Sequence, residues 1–246
     1  MFWLPYNSLD LSETASKFVS FYFEGPLPEV MLLIFPEADF PRSEVTGPTQ
    51  CEWLVGVLAD LGSVMSGALA RLLFYPTLGY NVIMEKLSSR RWFDRVDETV
   101  ILGALPFRSM SAQLLEEENV RGVVTMNEEY ETKLFCNSAQ EWRALGVEQL
   151  RLSTVDLTGV PSLQHLHQGV EFVLRHRERG SCVYVHCKAG RSRSATLVAA
   201  YLIRLHCWTP EEACQKLKSV RSHVLVRRAQ MDILRKYYAQ VCEQVD

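Results

Sequence analysis

Hydrophobic and polar positions change their period several times along this chain, and each change marks an element. Val100 to Leu105 is an apolar run of strand length, and Ser109 to Glu118 carries a helical pattern. Val120 to Met126 is apolar and β-branched, which predicts a strand in the middle of a sheet. A strand over Val147 to Leu152, a helix over Pro161 to Arg179 and a strand over Cys182 to His186 come next. Three helices close the chain: Ser194 to Cys207, Pro210 to Val220 and Arg228 to Val241. The second has an explicit start, with Thr209 as N-cap and Pro210 at the first helical position. Strands alternating with helices predict an α/β fold, a central, mostly parallel sheet flanked by helices.

The N-terminal third follows a different pattern. Residues 1–50 begin aromatic-rich, and then Pro26, Pro28, Pro36, Pro41 and Pro48 break any long helix, so irregular chain is expected. From Trp53 to Met84 the chain is apolar, with Asp60 and Arg71 as its only charges. Arg71 divides residues 61–84 into two charge-free runs, each short of the ~20 apolar residues that span a bilayer. Two readings stand: a membrane-embedded or interfacial anchor, or a helix packed on the folded domain. Lys86, Arg90, Arg91 and Arg95 form a basic flank, which an anionic lipid surface would attract by about 1 kcal/mol per residue. Met65 to Leu73 has the basic, acid-poor character of a mitochondrial import signal, which makes residues 1–64 an acidic N-terminal extension. The expected organisation is therefore that extension, an apolar targeting or membrane-associated segment over 65–85, and a folded domain over 86–246.

Composition narrows the function. A hydrophobic content of 48% and 22% charge describe a globular protein, and a net charge of −3 gives no footprint for nucleic acid. That total hides an asymmetry: nine acids against two bases give −7 over residues 1–64, leaving +4 for residues 65–246. Seven cysteines, an odd number without a C-x-x-C pair, indicate a reduced compartment. No metal or other cofactor is implied: His165 and His167 would not share one face of a helix.

The chemistry concentrates in Val183 to Ser194. A β-branched strand feeds Cys187, then come Lys188, Ala189, Gly190, Arg191 and Ser192, and Arg193 and Ser194 open a helix. A strand, loop and helix N-terminus in that order aim several backbone N–H groups at one spot, an anion site suited to phosphate. The five residues between Cys187 and Arg193 let the loop wrap a tetrahedral dianion, with the thiolate beneath and the guanidinium on two oxygens. Substrate contacts are thus expected from Lys188, Ala189, Gly190, Arg191, Ser192 and Arg193. Such surroundings lower a thiol from its free value of about 8.5, so Cys187 would be a nucleophile giving a cysteinyl-phosphate. The N–H groups and Arg193 would carry the equatorial charge.

His186, Cys187, Arg193 and Ser194, spaced as His-Cys-x5-Arg-Ser, resemble the signature of the dual-specificity-type cysteine phosphatases. That resemblance implies a general acid on a loop ahead of the nucleophile, matching Asp156 within Ser153 to Pro161. Glu128, Glu129 and Glu131, in a polar loop over Asn127 to Glu131, are the competing acids. No Trp-Pro-Asp triplet is present, so the loop motion of the tyrosine-specific branch is not carried over. Ser194 would hydrogen-bond the thiolate, and His186 would brace the loop. Lys188 and Arg191 add cations at the rim and suggest a substrate with more charge than one phosphate. Cys182, five residues upstream on the same strand, is expected to be packed rather than to resolve an oxidised Cys187.

Asn127 to Glu131, Ser153 to Asp156 and His186 to Ser194, behind Leu73 to Leu78, are similar to the phosphatidylglycerophosphate phosphatase branch of that family over about residues 65–242. This implies dephosphorylation of phosphatidylglycerophosphate to phosphatidylglycerol for cardiolipin synthesis, on the matrix side of the mitochondrial inner membrane. An anionic phospholipid substrate and a membrane surface are then the partners, with phosphoproteins as further substrates. A protein or phosphoinositide phosphatase and a phosphate-binding adaptor without turnover remain alternatives.

Overall fold

The structure, a computed structural model, describes residue 71 and residues 74–83, 85–87 and 90–243. The expectations for residues 1–64, and for 65–70 within the apolar segment, lie outside the described residues. The ordered elements are β1 (Phe93–Arg95), β2 (Val100–Gly103), α1 (Ser111–Glu116), β3 (Val120–Thr125), α2 (Glu129–Thr132), α3 (Ala139–Ala144), β4 (Glu148–Arg151), α4 (Leu163–Glu178), β5 (Cys182–His186), α5 (Arg193–His206), α6 (Pro210–Val220) and α7 (Arg228–Val241).

The five strands lie in the order β1-β2-β5-β3-β4. The pairs β2·β5, β3·β5 and β3·β4 are parallel, and β1 is an antiparallel edge strand. The mostly parallel α/β sheet expected from the sequence is therefore present. β5 is its centre, and all of its residues are buried. On one face α5 packs through Leu197, Tyr201 and Ile203, joined by Leu166 and Val173 of α4 and Leu234 and Tyr237 of α7. On the other face Leu114, Trp142 and Val147 close over Ile101, Val123 and Tyr184.

Three features depart from the sequence-based expectation. β1 was not anticipated, because three residues are too few to show a period of two. The loop expected over Asn127 to Glu131 contains the helical turn α2, started by a capping box between Glu128 and Glu131. α3 was also missed, although Ser138 and Glu141 spell the same capping box in the sequence.

Residues 74–83 are helical and bury Phe74 and Leu78 against Leu105 and Cys136, with Trp92, Phe107 and Tyr130 around them. The described part of the apolar segment thus packs on the folded domain. No helix among the described residues is long and apolar enough to cross a membrane.

The register sets the site. Gly103 of β2 and Thr125 of β3 both lie beside His186, so three strands end level and Cys187 leaves from the carboxyl edge of the sheet. Gly103 has no room for a side chain: a Cβ would fall inside the Tyr184 phenol, whose hydroxyl donates to the Ala104 carbonyl at 2.8 Å. Gly103→Ala should therefore destabilise the protein by about 1–3 kcal/mol through overpacking. A urea titration of the two proteins, showing a lower midpoint at unchanged slope, checks this.

Candidate active site

Cys187 follows the last residue of β5, and its loop turns back into α5 at Arg193. Gly190 makes the turn at φ +65, and a Cβ there would stand 2.5 Å from the Gly103 carbonyl carbon and oxygen. Glycine is required on both counts.

The thiol of Cys187 is buried, which by itself would raise its pKa. The Arg193 charge, the Ser194 hydroxyl donating at 3.2 Å, and the backbone N–H groups of Ser194 and Arg191 outweigh that burial. The net result lies below the ordinary thiol value, so the thiolate forms more readily than in a free cysteine. Ser194 thus has the contact its expected role requires. Behind the nucleophile, the His186 ring shares a 3.0 Å hydrogen bond with Thr125 Oγ1. Burial pushes this imidazole down to about 3, with Arg151 and Arg193 adding to the effect, so the ring stays neutral and braces the loop.

Arg193 is only 3% exposed. Glu131 takes it in a two-point bond, Nη1 to Oε1 at 3.0 Å and Nη2 to Oε2 at 3.1 Å, and the Thr154 carbonyl accepts from Nη1 at 2.8 Å. Asp156 Oδ1 accepts from Nη2 at 2.8 Å. Glu131, expected as a competing acid, is instead fully buried as the orienting partner of Arg193. Asp156, the acid expected from the sequence, lies at this site. Burial raises its carboxyl, but Arg193 and Lys188 more than reverse this and hold it below the usual carboxylate range. It therefore rests as an anion on the guanidinium that would take a phosphate.

Lys188 is a correction. Expected as a rim cation for substrate, it is 7% exposed, and its ammonium is spent on Asp156 Oδ2 and, at 2.8 Å, on Thr77 Oγ1. Arg191 does reach the surface. Its Nε donates to the His223 carbonyl at 2.9 Å, and it lines an open groove with Glu85, Arg90, Arg91 and His223 beside Ala189. Burial lowers His223 to about 3, and the charges of Arg221, Arg191 and Arg90 add to that. Ser192 turns its hydroxyl away to Gln230 Nε2, 2.6 Å off.

The sequence reading missed Arg221 and Asp94. Arg221, at the end of α6, is buried and donates to the carbonyls of Ala189 and Gly190, each at 3.0 Å. Asp94 of β1 neutralises it at 2.6 Å. Pulling two carbonyls outward leaves the loop's N–H groups facing the anion. Charge pairing over so long a stretch of chain leaves no local signal. Cys182 Sγ donates to the Glu98 carbonyl at 3.1 Å at the far end of β5, five residues of extended strand from Cys187, so it is packed as expected.

With this geometry in place, three comparisons bear on the chain. The family model described as "Dual specificity phosphatase, catalytic domain" matches residues 108–240. The human protein named phosphatidylglycerophosphatase and protein-tyrosine phosphatase 1 is 56% identical over 182 residues, 73% of this chain and 90% of that one. A phosphatidylglycerophosphate phosphatase of Arabidopsis thaliana is 44% identical over 70% of this chain and 50% of its own length. Among solved structures, that of PTPMT1 in complex with PI(5)P superposes with a TM-score of 0.62 at 54% identity, covering 63% of this chain and all of that one.

Alkylation of Cys187 by iodoacetamide should titrate with a midpoint below the free-thiol value of about 8.5, the rate rising as pH passes the folded pKa and the thiolate forms. Arg193→Ala should move that midpoint upward, because it removes the strongest of the charges that favour the thiolate. Rates of modification measured from pH 5 to 9 check both.

Proposed function

The chain belongs to the dual-specificity phosphatase family, and from that premise we propose that it removes the terminal phosphate of phosphatidylglycerophosphate through a cysteinyl-phosphate intermediate. The observation that carries the chemistry is a buried Cys187 sulfur that accepts from the Ser194 hydroxyl and has its pKa lowered by the Arg193 charge and by the N–H groups of Ser194 and Arg191. Such an arrangement performs hydrolysis of a phosphate monoester in two steps.

In the first, the incoming dianion replaces the Asp156 carboxylate on Arg193, and the sulfur attacks phosphorus in line. The S–P bond forms as the P–O bond to glycerol breaks. Losing the Arg193 contact and facing a dianion both raise Asp156, so it can take a proton and deliver it to the leaving oxygen. In the second, the same carboxylate draws a proton from water attacking the phosphocysteine. The departing thiolate is received by the Ser194 hydroxyl and the N–H groups. An adaptor would need neither the lowered thiol nor an acid beside it, and this site has both.

Two observations support a lipid. The human relative, matched over 90% of its length, is named for phosphatidylglycerophosphate, and the arginines that line the groove beside Ala189 suit a substrate with a second, diester phosphate. The basic residues Arg90 and Arg91 on that groove continue the flank that an anionic bilayer would attract. Cardiolipin synthesis at the matrix face of the mitochondrial inner membrane is the setting this reading implies. The PI(5)P complex of the related structure and the protein-tyrosine phosphatase in the human relative's name make phosphoinositides and phosphotyrosine the comparison substrates.

Phosphate release from phosphatidylglycerophosphate in mixed micelles should exceed that from PI(5)P and a phosphotyrosine peptide, and Cys187→Ser should release none. Asp156→Asn should cost about 10²–10⁴-fold on the lipid and much less on an activated aryl phosphate, since a glycerol alkoxide needs a proton and a nitrophenolate does not. Preference for the peptide would leave the mechanism standing and overturn the lipid assignment.

A further inference from the structure

The helix over residues 74–83 reaches the reacting centre through Phe74 and Thr77. Phe74 is buried in the cluster with Leu78, Leu105 and Cys136, and its ring lies 5.5 Å from the Lys188 ammonium. One turn on, Thr77 Oγ1 accepts from that ammonium at 2.8 Å, while the Thr77 hydroxyl donates back to the Phe74 carbonyl at 3.1 Å. The far side of the ammonium is bonded to Asp156 Oδ2. Lys188 is thus buried with a hydroxyl, an aromatic face and a carboxylate around its charge.

We propose that Lys188 is the positioning residue for the general acid, and that Thr77 and Phe74 hold it there, which makes the N-terminal helix a working part of the active site. The proposal rests on the phosphatase reading above. Its reasoning follows from which oxygen each cation holds. Arg193 is on Oδ1 and Lys188 is on Oδ2. A substrate phosphate competes for Arg193 and so frees Oδ1, while Oδ2 stays tied to Lys188. The proton is then confined to Oδ1, the oxygen that gives up Arg193 to the phosphate, and it passes from there to the leaving oxygen as the P–O bond breaks. Without Lys188 the carboxyl could rotate, and either oxygen could carry the proton.

The charged and titratable groups around Asp156 come from every neighbouring element. Lys188 and Arg193 belong to the phosphate loop and the start of α5. Glu131 acts from α2 through Arg193. Tyr130, also from α2, has its hydroxyl raised beyond the normal range mainly by burial, with the Glu131, Glu128 and Asp156 charges contributing. Arg227, at the start of α7, donates to the carbonyl of Leu157 next in the chain. Once substrate has taken Arg193, Lys188 is the cation left on the carboxyl. It then opposes protonation of Asp156 while fixing its direction.

The test uses the full chain and aryl phosphates of graded phenol acidity, probes that report the acid whatever the physiological ester. Failure of the lipid assignment therefore leaves this test intact. Lys188→Met should lower kcat about tenfold on phenyl phosphate and little on nitrophenyl phosphate, with the basic limb of the kcat profile moving up by about one pH unit. Thr77→Val leaves an ammonium N–H buried without its acceptor, so it should reproduce both effects at smaller size, and Thr77→Ser should restore the parent behaviour. A Thr77→Val profile that superimposes on the parent overturns the proposal. So does a loss that is equal on all esters with no movement of the limb, the result expected of a structural role alone. The two Thr77 variants decide the matter even if Lys188→Met fails to fold.

Discussion

The site is organised by a buried positive charge that must have partners. A guanidinium at 3% exposure is stable only where carboxylates and carbonyls meet every face, and Arg193 has Glu131, Asp156 and the Thr154 carbonyl. Removing one partner of such a buried pair typically costs 3–5 kcal/mol, because the remaining charge is left uncompensated. That constraint draws α2, the acid loop and the phosphate loop to one point. It also accounts for the Asp156 carboxylate resting on Arg193, where it supplies the negative charge that the buried guanidinium requires.

A second buried pair shapes the loop from outside. Arg221 and Asp94 join the end of α6 to the edge strand β1, and the guanidinium holds the carbonyls of Ala189 and Gly190 outward. Backbone dipoles can face the anion only if their opposite ends are satisfied elsewhere. The close approach of Gly190 to Gly103 serves the same end, because it lets the loop sit directly on the strand that carries it. A short edge strand without a visible sequence signal is in this way a support for catalysis.

The N-terminal helix joins two roles that the sequence kept apart. Its apolar face docks Phe74 and Leu78 into the domain, while Thr77 reaches the lysine beside the acid. Beyond it, Arg90, Arg91 and Arg191 lie along one groove with Glu85.

Local order along the chain was enough to determine the α/β alternation, the central strand into Cys187, the loop that encloses a phosphate and the helix that follows it. These depend on periodicity, on β-branched runs and on a spacing of five residues, all of which neighbours in sequence report. That Asp156 would lie near the phosphate loop was legible because it follows a strand end, where open α/β sheets place their sites. The tertiary structure alone decided how the charges are shared. Glu131 meets Arg193 across 62 positions, Thr77 meets Lys188 across 111, and Asp94 meets Arg221 across 127. A lysine in the phosphate loop therefore looked like a rim cation until packing placed a buried carboxylate and a threonine around it. Burial turns an ordinary charge into one that must be paired, and burial is a property of the assembled fold.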